Sequence, residues 1–328
     1  MTSNQIDKAN RFRALHDEPG FFVIANVWDA GSARILAGLG FQALATSSGA
    51  SAGVLGRRDG MVTREEALAQ TRAIVEATDL PVSADLEKGF DDAPEGVAVT
   101  IRRAAATGLV GCTIEDFSGN SQKPLYDLEL ARERIGAAVE AARELPFPFT
   151  LTARAEGFLR GNPDLDDVIK RLQAFQGGGA NVLMAPGLPD IAAVRTVCAA
   201  LSRPFNFMAG IKGRSFTTAE LAAAGVKRIS LATSPLSRSD ERPRQCRARG
   251  QRAGHVWVCR YDNGHARAQQ LHDGRLTTLR VATASGPSPH KPHSPAIRRA
   301  AVGLQPACAT KATKTRTRPK RSRAMSTE

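Results

Sequence analysis

Eight short apolar runs rich in β-branched residues, each closing in a polar or glycine-containing turn, limit sharply what this chain can fold into. They are FFVIAN (21–26), QALATS (42–47), PVSADL (81–86), GCTIED (111–116), FTLTAR (149–154), NVLMAP (181–186), FNFMAG (205–210) and RISLAT (228–233). The stretches between them carry apolar residues at i, i+3 and i+4, as in EEALAQTRAIVEA (65–77), LARERIGAAVEAAREL (130–145) and DLDDVIKRLQAFQGG (164–178). Strands that alternate with helices pair in parallel, because each crossover helix covers the sheet. Eight such units predict a closed parallel (β/α)8 TIM barrel over residues 1–236. GGGAN (177–181) and AAAGVKR (222–228) place glycine after a helix and before the next strand, where helices stop. No glycine-rich phosphate loop follows the first strand, so the usual nucleotide-binding signature is absent.

A length of 328 residues with 42% hydrophobic content is ample for such a core. Five cysteines lie scattered at 112, 198, 246, 259 and 308, without CxxC spacing. That pattern argues against a disulfide framework or a structural zinc site and fits a reducing cytoplasm. The polar, acid-containing N-terminus resembles no export signal, and no apolar run is long enough to span a membrane. The expectation is a cytoplasmic protein with no membrane partner.

In a parallel barrel the chemistry sits at the carboxyl ends of the strands. There the second run leads into Ser47, Ser48, Gly49 and, further on, Asp59; the third ends at Asp85 and Glu87; the fourth at Glu115 and Asp116; the fifth at Arg154 and Glu156. Carboxylates gathered on one rim repel each other unless a cation or protons intervene. A hard divalent ion with oxygen ligands, Mg²⁺ or alternatively Mn²⁺, is the economical remedy. Arg154 offers a fork suited to a carboxylate or phosphonate, and the Ser-Ser-Gly turn offers hydroxyl and N–H donors to the same anion. Any single acid at a strand end more often caps a helix or carries surface charge. The joint pattern of acids after three successive strands and an arginine after the next is what favours a site. Only His16 precedes the last 92 residues, so the acid or base chemistry falls to groups other than imidazole. Cys112, inside a strand, reads as a small core residue.

NVWDAGSARI (26–35), SSGASAGVLGRRDG (47–60), PVSADLEKGF (81–90), GCTIEDF (111–117) and TARAEGF (152–158) resemble, in order and spacing, the motifs of the phosphoenolpyruvate mutase and isocitrate lyase superfamily. The resemblance implies that Ser47, Ser48 and Gly49 form the substrate-anion loop. It implies that Asp85, Glu87 and Glu115 organise Mg²⁺, some through water, that Arg154 binds substrate, and that Asp59 positions metal water or substrate. The catalytic group is then Asp59, Arg154 and Ser48. The implied reaction makes or breaks a carbon–carbon or phosphorus–carbon bond next to an α-oxo acid, through an enolate of pyruvate type. Its substrate would be a small oxo or hydroxy acid. Two departures bear on this. Where isocitrate and methylisocitrate lyases carry a Lys-Lys-Cys-Gly-His stretch, this chain has SGNSQKPLYD (118–127), with no thiol. Its Asn120-Ser121 pair aligns instead with the Asn-Ser pair of the phosphonopyruvate enzymes, which makes Asn120 a candidate substrate contact. The histidine that the mutases use after strand six is replaced by MAPGLPD (184–190). The alternative reading is a barrel without catalysis that binds a small anion.

From Ser237 onward the chain carries 20 Lys and Arg against 5 Asp and Glu, which accounts for the net charge of +13. An eighth helix is expected there, yet the segment shows no helical periodicity, so that helix is read as missing or replaced by a basic tail of low order (237–328). A displaced reading frame explains this. Taken from the second base of each codon, Trp257 followed by Val258 forces glycine, as the family's ending requires. Were the tail genuine, KATKTRTRPKRSR (311–323) would be a basic arm for nonspecific nucleic-acid binding. It lacks interleaved aromatics and any nucleic-acid-binding fold, so nucleic acid is the less favoured partner. With an intact C-terminus the resemblance implies a homo-oligomer.

Overall fold

A computed structural model describes residues 3–211, 214 and 216–232. The predicted tail, the displaced frame and the place of an eighth helix lie outside the described residues. All eight expected strands form, as β1 (Phe22–Val27), β2 (Leu44–Thr46), β3 (Val82–Asp85), β4 (Gly111–Glu115), β5 (Thr150–Arg154), β6 (Val182–Met184), β7 (Phe205–Met208) and β8 (Arg228–Ser230). They close into a barrel in sequence order, every pair parallel, with Phe22 beside Arg228 at the seam.

Helices fill the crossovers: α1 (Ser3–Asp17) precedes the barrel, then come α2 (Ala30–Gly38), α3 (Ser48–Val54), α4 (Arg64–Glu76) and α5 (Pro94–Ala105). Next are α6 (Leu128–Arg143), α7 (Leu165–Gly177), α8 (Ile191–Ala199) and α9 (Thr218–Ala223). Their starts are written locally. Thr63 with Glu66 opens α4, and Thr217 with Glu220 opens α9, each as a reciprocal capping box that satisfies two orphan N–H groups. Gly225, at φ +95, turns the chain from α9 toward β8 in a conformation that a Cβ would disfavour.

Two helices were not expected. Helix α1 buries Gln5, Lys8, Ala9, Phe12 and His16 on one face. Three of those five are polar, so hydrophobic periodicity does not reveal the helix. It is recruited by specific bonds: Gln5 Nε2 donates to the carbonyls of Ala105 and Leu109 (2.9 and 3.0 Å), and Lys8 Nζ to that of Thr78 (2.8 Å). Phe12 packs so closely on Gly111 that a Cβ there would stand 3.0 Å from its ring. The second, α3, takes up the Ser-Ser-Gly segment that the sequence suggested as a loop.

Polar side chains stand among apolar ones inside the barrel. Arg228, 3% exposed, reaches across to Asn206 Oδ1 (2.8 Å), Thr152 Oγ1 (2.9 Å) and His16 Nε2 (3.3 Å). Arginine can only donate, so His16 Nε2 accepts and its Nδ1–H donates to the Phe12 carbonyl at 2.8 Å. Burial, then the Arg228 charge, pushes the His16 pKa down to about 3. His16 is therefore a neutral structural residue.

Candidate active site

The carboxyl ends of the strands surround a cavity of about 390 Å³. Asp85 closes β3 on its wall, and four neighbours aim it. Ser48 donates to Oδ2 through its hydroxyl (3.2 Å) and, at 3.4 Å, its N–H; Thr113 Oγ1 (3.2 Å) and the Glu87 N–H (3.2 Å) donate to Oδ1; Arg154 Nη1 donates to Oδ2 at 3.2 Å. Strand register explains the set: Asp85 lies beside Thr113, and Glu115 beside Arg154.

Arg154 is 8% exposed and spans three carboxylates. Besides Asp85 it meets Glu115 Oε2 at 3.0 Å and Glu156 Oε1 at 2.6 Å. Burial alone would lower its pKa, but Glu115, Glu156 and Asp85 outweigh that and hold it above its ordinary value. Burial drives the Glu115 pKa up, with Arg154 opposing and Glu156 and Asp85 adding to the rise. Part of the rim repulsion that the sequence assigned to a metal is thus relieved by arginine. Beneath this layer Asp116, pushed to about 6 mainly by burial, pairs with Arg171 (3.2 Å) and accepts from the Glu156 N–H (2.8 Å).

Negative charge nevertheless remains in excess near Glu87. Its pKa is raised to about 7, first by burial and then by repulsion from Asp85 and Asp59, against smaller help from Arg154 and Lys88. The folded state holds this proton more tightly than the unfolded chain. In metal-free protein, stability therefore falls as pH rises from the ordinary 4.5 toward about 7. Glu87→Gln removes that contribution, so melting temperature in chelator should vary less with pH than in wild type. An equally steep profile for the variant would contradict the assignment.

Glu87 also sits in a constrained turn. It has φ 50 and Phe90 has φ 60, left-handed conformations costly for residues with a Cβ. Arg134 of α6, 1% exposed, clamps this turn by donating to the carbonyls of Lys88, Asp91 (2.7 Å) and Asp92 (3.0 Å), while its guanidinium lies 4.0 Å from the Tyr126 ring centroid. Arg134→Met should cost about 2–4 kcal/mol through loss of its bonds to these part-buried carbonyls. Chemical denaturation would measure it, and a loss under about 1 kcal/mol would show that the turn holds itself.

The predicted residues divide as follows. Ser47, Ser48, Gly49, Asp59, Asp85 and Arg154 all line the cavity. Ser47 and Ser48 have protein partners of their own: Ser47 Oγ caps α3 by accepting from the Ala50 N–H, and Ser48 faces Asp85. Glu87 and Glu115 stay outside the cavity lining, Glu115 on Arg154 and Glu87 near the Asp59 segment, its Oε2 3.9 Å from where a Cβ on Gly60 would stand. Asn120 is not brought to the cavity. It is exposed on a hairpin closed by the Phe117–Leu125 bridge, and its Oδ1 accepts from the Gln122 N–H at 2.9 Å. Asn26, Arg160, Asn206 and Arg228 also line the cavity and were not singled out. A charged or amide residue in the inward register of an apolar strand was the available signal for Asn206 and Arg228. No histidine or cysteine lines the cavity among the described residues. Cys112 is fully buried in β4, where burial raises its pKa, as a core thiol should.

A metal fits only in one way. Among the described residues no group of three or more His, Cys, Asp or Glu side chains converges into a protein cage. Mg²⁺, however, keeps several waters and takes one or two carboxylates. A single oriented carboxylate on a cavity wall, with Glu87 close enough to feel its charge, is a donor set of that kind.

The family model described as phosphoenolpyruvate phosphomutase matches residues 12–243. Among relatives, an oxaloacetate decarboxylase of Chromohalobacter salexigens is 30% identical over 233 residues, 69% of this chain and 79% of that protein. The 2-methylisocitrate lyase of Escherichia coli is 30% identical over 236 residues, 69% of this chain and 77% of its own. A solved structure from Burkholderia cenocepacia J2315, provisionally assigned as a lyase/mutase, is 43% identical and superposes with a TM-score of 0.73, covering 87% of this chain and 95% of that one. Among the described residues no helix is long and apolar enough to cross a membrane.

Proposed function

The chain belongs to the phosphoenolpyruvate phosphomutase family, and from that premise we propose that it is a Mg²⁺-dependent carbon–carbon lyase acting on a small α-oxo or hydroxy acid. The observation that carries this reading is Asp85, a carboxylate on the cavity wall aimed by Ser48, Thr113 and Arg154. Asp85 would hold the ion directly, and Glu87 and Glu115, outside the cavity lining, would act through water. When bound, the ion supplies a Lewis acid that takes up charge developing on the substrate's oxo oxygen.

The remaining work falls to the protein. Gly49, with no side chain, leaves the cavity wall beside Ser48 open to a substrate anion. Arg154, anchored by three carboxylates, cannot swing, so it presents a positive charge that needs no reorganisation when substrate charge shifts. Asp59, on the exposed segment between α3 and α4, reaches the cavity from outside the barrel and is placed to orient water or substrate. Among the described residues no thiol or imidazole lines the wall, and in this reading cleavage of the bond beside the oxo group rests on stabilising the resulting enolate.

Oxaloacetate, 2-methylisocitrate and phosphonopyruvate, assayed with Mg²⁺ and with chelator, test the reading. We expect turnover of an oxo or hydroxy acid that stops in chelator and returns with Mg²⁺ or Mn²⁺. Turnover indifferent to chelator would remove the metal from the account, and tight binding without turnover would favour the small-anion binding protein.

A further inference from the structure

We propose that Arg160 selects substrates that carry a second carboxylate, an inference that rests on the oxo- or hydroxy-acid reading above and names the residue that narrows it. Three arginines line the cavity among the described residues, and two of them are fully committed. Arg154 places Nε, Nη1 and Nη2 on carboxylate oxygens. Arg228 has its Nε, Nη1 and Nη2 on Asn206, His16 and Thr152 at the cavity floor.

Arg160 differs. It follows the 3₁₀ turn Gly157–Leu159 beyond β5, and its side chain is 31% exposed. Its Nε lies 3.2 Å from Glu156 Oε2, yet both atoms are buried without a hydrogen-bond partner in the protein. Its Nη2 is 3.8 Å from Glu115 Oε1, too far for a hydrogen bond. The charge is therefore compensated, Nε is shut in against Glu156, and the Nη1 and Nη2 end makes no hydrogen bond in the protein. One guanidinium face rests 3.6 Å from the Phe117 ring centroid, which fixes the plane and leaves the Nη1 and Nη2 end as the part that can take a ligand. A planar fork held this way matches a carboxylate with two parallel N–H···O bonds.

Position completes the argument. Glu115 and Glu156 each touch both Arg154 and Arg160, so Arg160 stands one carboxylate away from the Arg154–Asp85 pair. A substrate whose oxo or hydroxy end is held at Asp85 would direct a second acidic group toward Arg160. A neutral end would leave those donors unmade, and a site built for a charge-assisted bond discriminates strongly against the analogue that lacks it.

The test is calorimetric binding of malate and of its 4-amide, malamate, to the full chain in saturating Mg²⁺. Wild type should prefer malate by about 10- to 100-fold. Arg160→Gln should bring the preference within about three-fold and shift malamate affinity little, with Arg160→Lys in between. A variant that keeps the wild-type preference overturns the proposal. So does wild type binding both ligands equally, which leaves the oxo- or hydroxy-acid reading standing. Wild type binding neither ligand brings down that reading and the proposal together. Should Arg160→Gln not fold, Arg160→Lys decides, since its preference must fall by about three-fold or more.

Discussion

Asp85→Asn is expected to lower kcat/KM by about a thousand-fold, and to abolish Mn²⁺ binding measured by paramagnetic resonance or calorimetry. Asparagine keeps the shape and one acceptor for Ser48 or Thr113, so the wall should stay in place while the charge is lost. That separates a role in holding a cation from a role in packing. The substitution also takes one of three anions from Arg154, but Glu115 and Glu156 remain on it at 3.0 and 2.6 Å, so stability should fall far less than activity. An Asp85→Asn protein that turns substrate over at the wild-type rate, or that still binds Mn²⁺ with wild-type affinity, would refute the assignment.

The second large effect concerns stability. Arg154→Met should destabilise the barrel by about 3–5 kcal/mol, because Glu156 at 0% and Glu115 at 5% exposure would lose the charge that makes their burial tolerable. For a domain of this size that corresponds to a melting temperature lower by roughly 10 °C. The pH dependence identifies the cause. The folded-state pKa of Glu115 is already raised by burial, and loss of the opposing Arg154 raises it further. The variant's deficit should be largest at pH above that raised value and narrow as pH falls through it, where the carboxyl takes up a proton and needs no partner. A deficit independent of pH would point to lost packing instead of lost charge compensation.

Particular residues show what was legible beforehand. The strands from Phe22 to Ser230 were readable because parallel strands buried on both faces must be short and apolar, and the helix stops in GGGAN (177–181) and AAAGVKR (222–228) were readable from their glycines. Asp85 and Arg154 could be singled out because charged residues ending an apolar strand have few bland explanations when several coincide. Helix α1 escaped, since a helix recruited through Gln5, Lys8 and His16 carries no amphipathic stripe. Arg160 escaped because nothing local distinguishes an arginine with unspent donors from one on the surface. Asn120 was named for the resemblance of Asn120-Ser121 to the family's Asn-Ser pair, whereas the hairpin from Phe117 to Leu125 turns its side chain into the loop.

The sequence by itself determined the eight-fold βα alternation and the residue types that stand at the carboxyl ends of the strands, because periodicity and strand direction are local properties of the chain. Tertiary structure alone decided which charge meets which. It put Arg154 among three carboxylates, kept Glu87 and Glu115 out of the cavity lining, and left the Nη end of Arg160 without a hydrogen bond. Electrostatic pairing depends on distances of a few ångströms between residues far apart in sequence, and only closure of the barrel sets those distances.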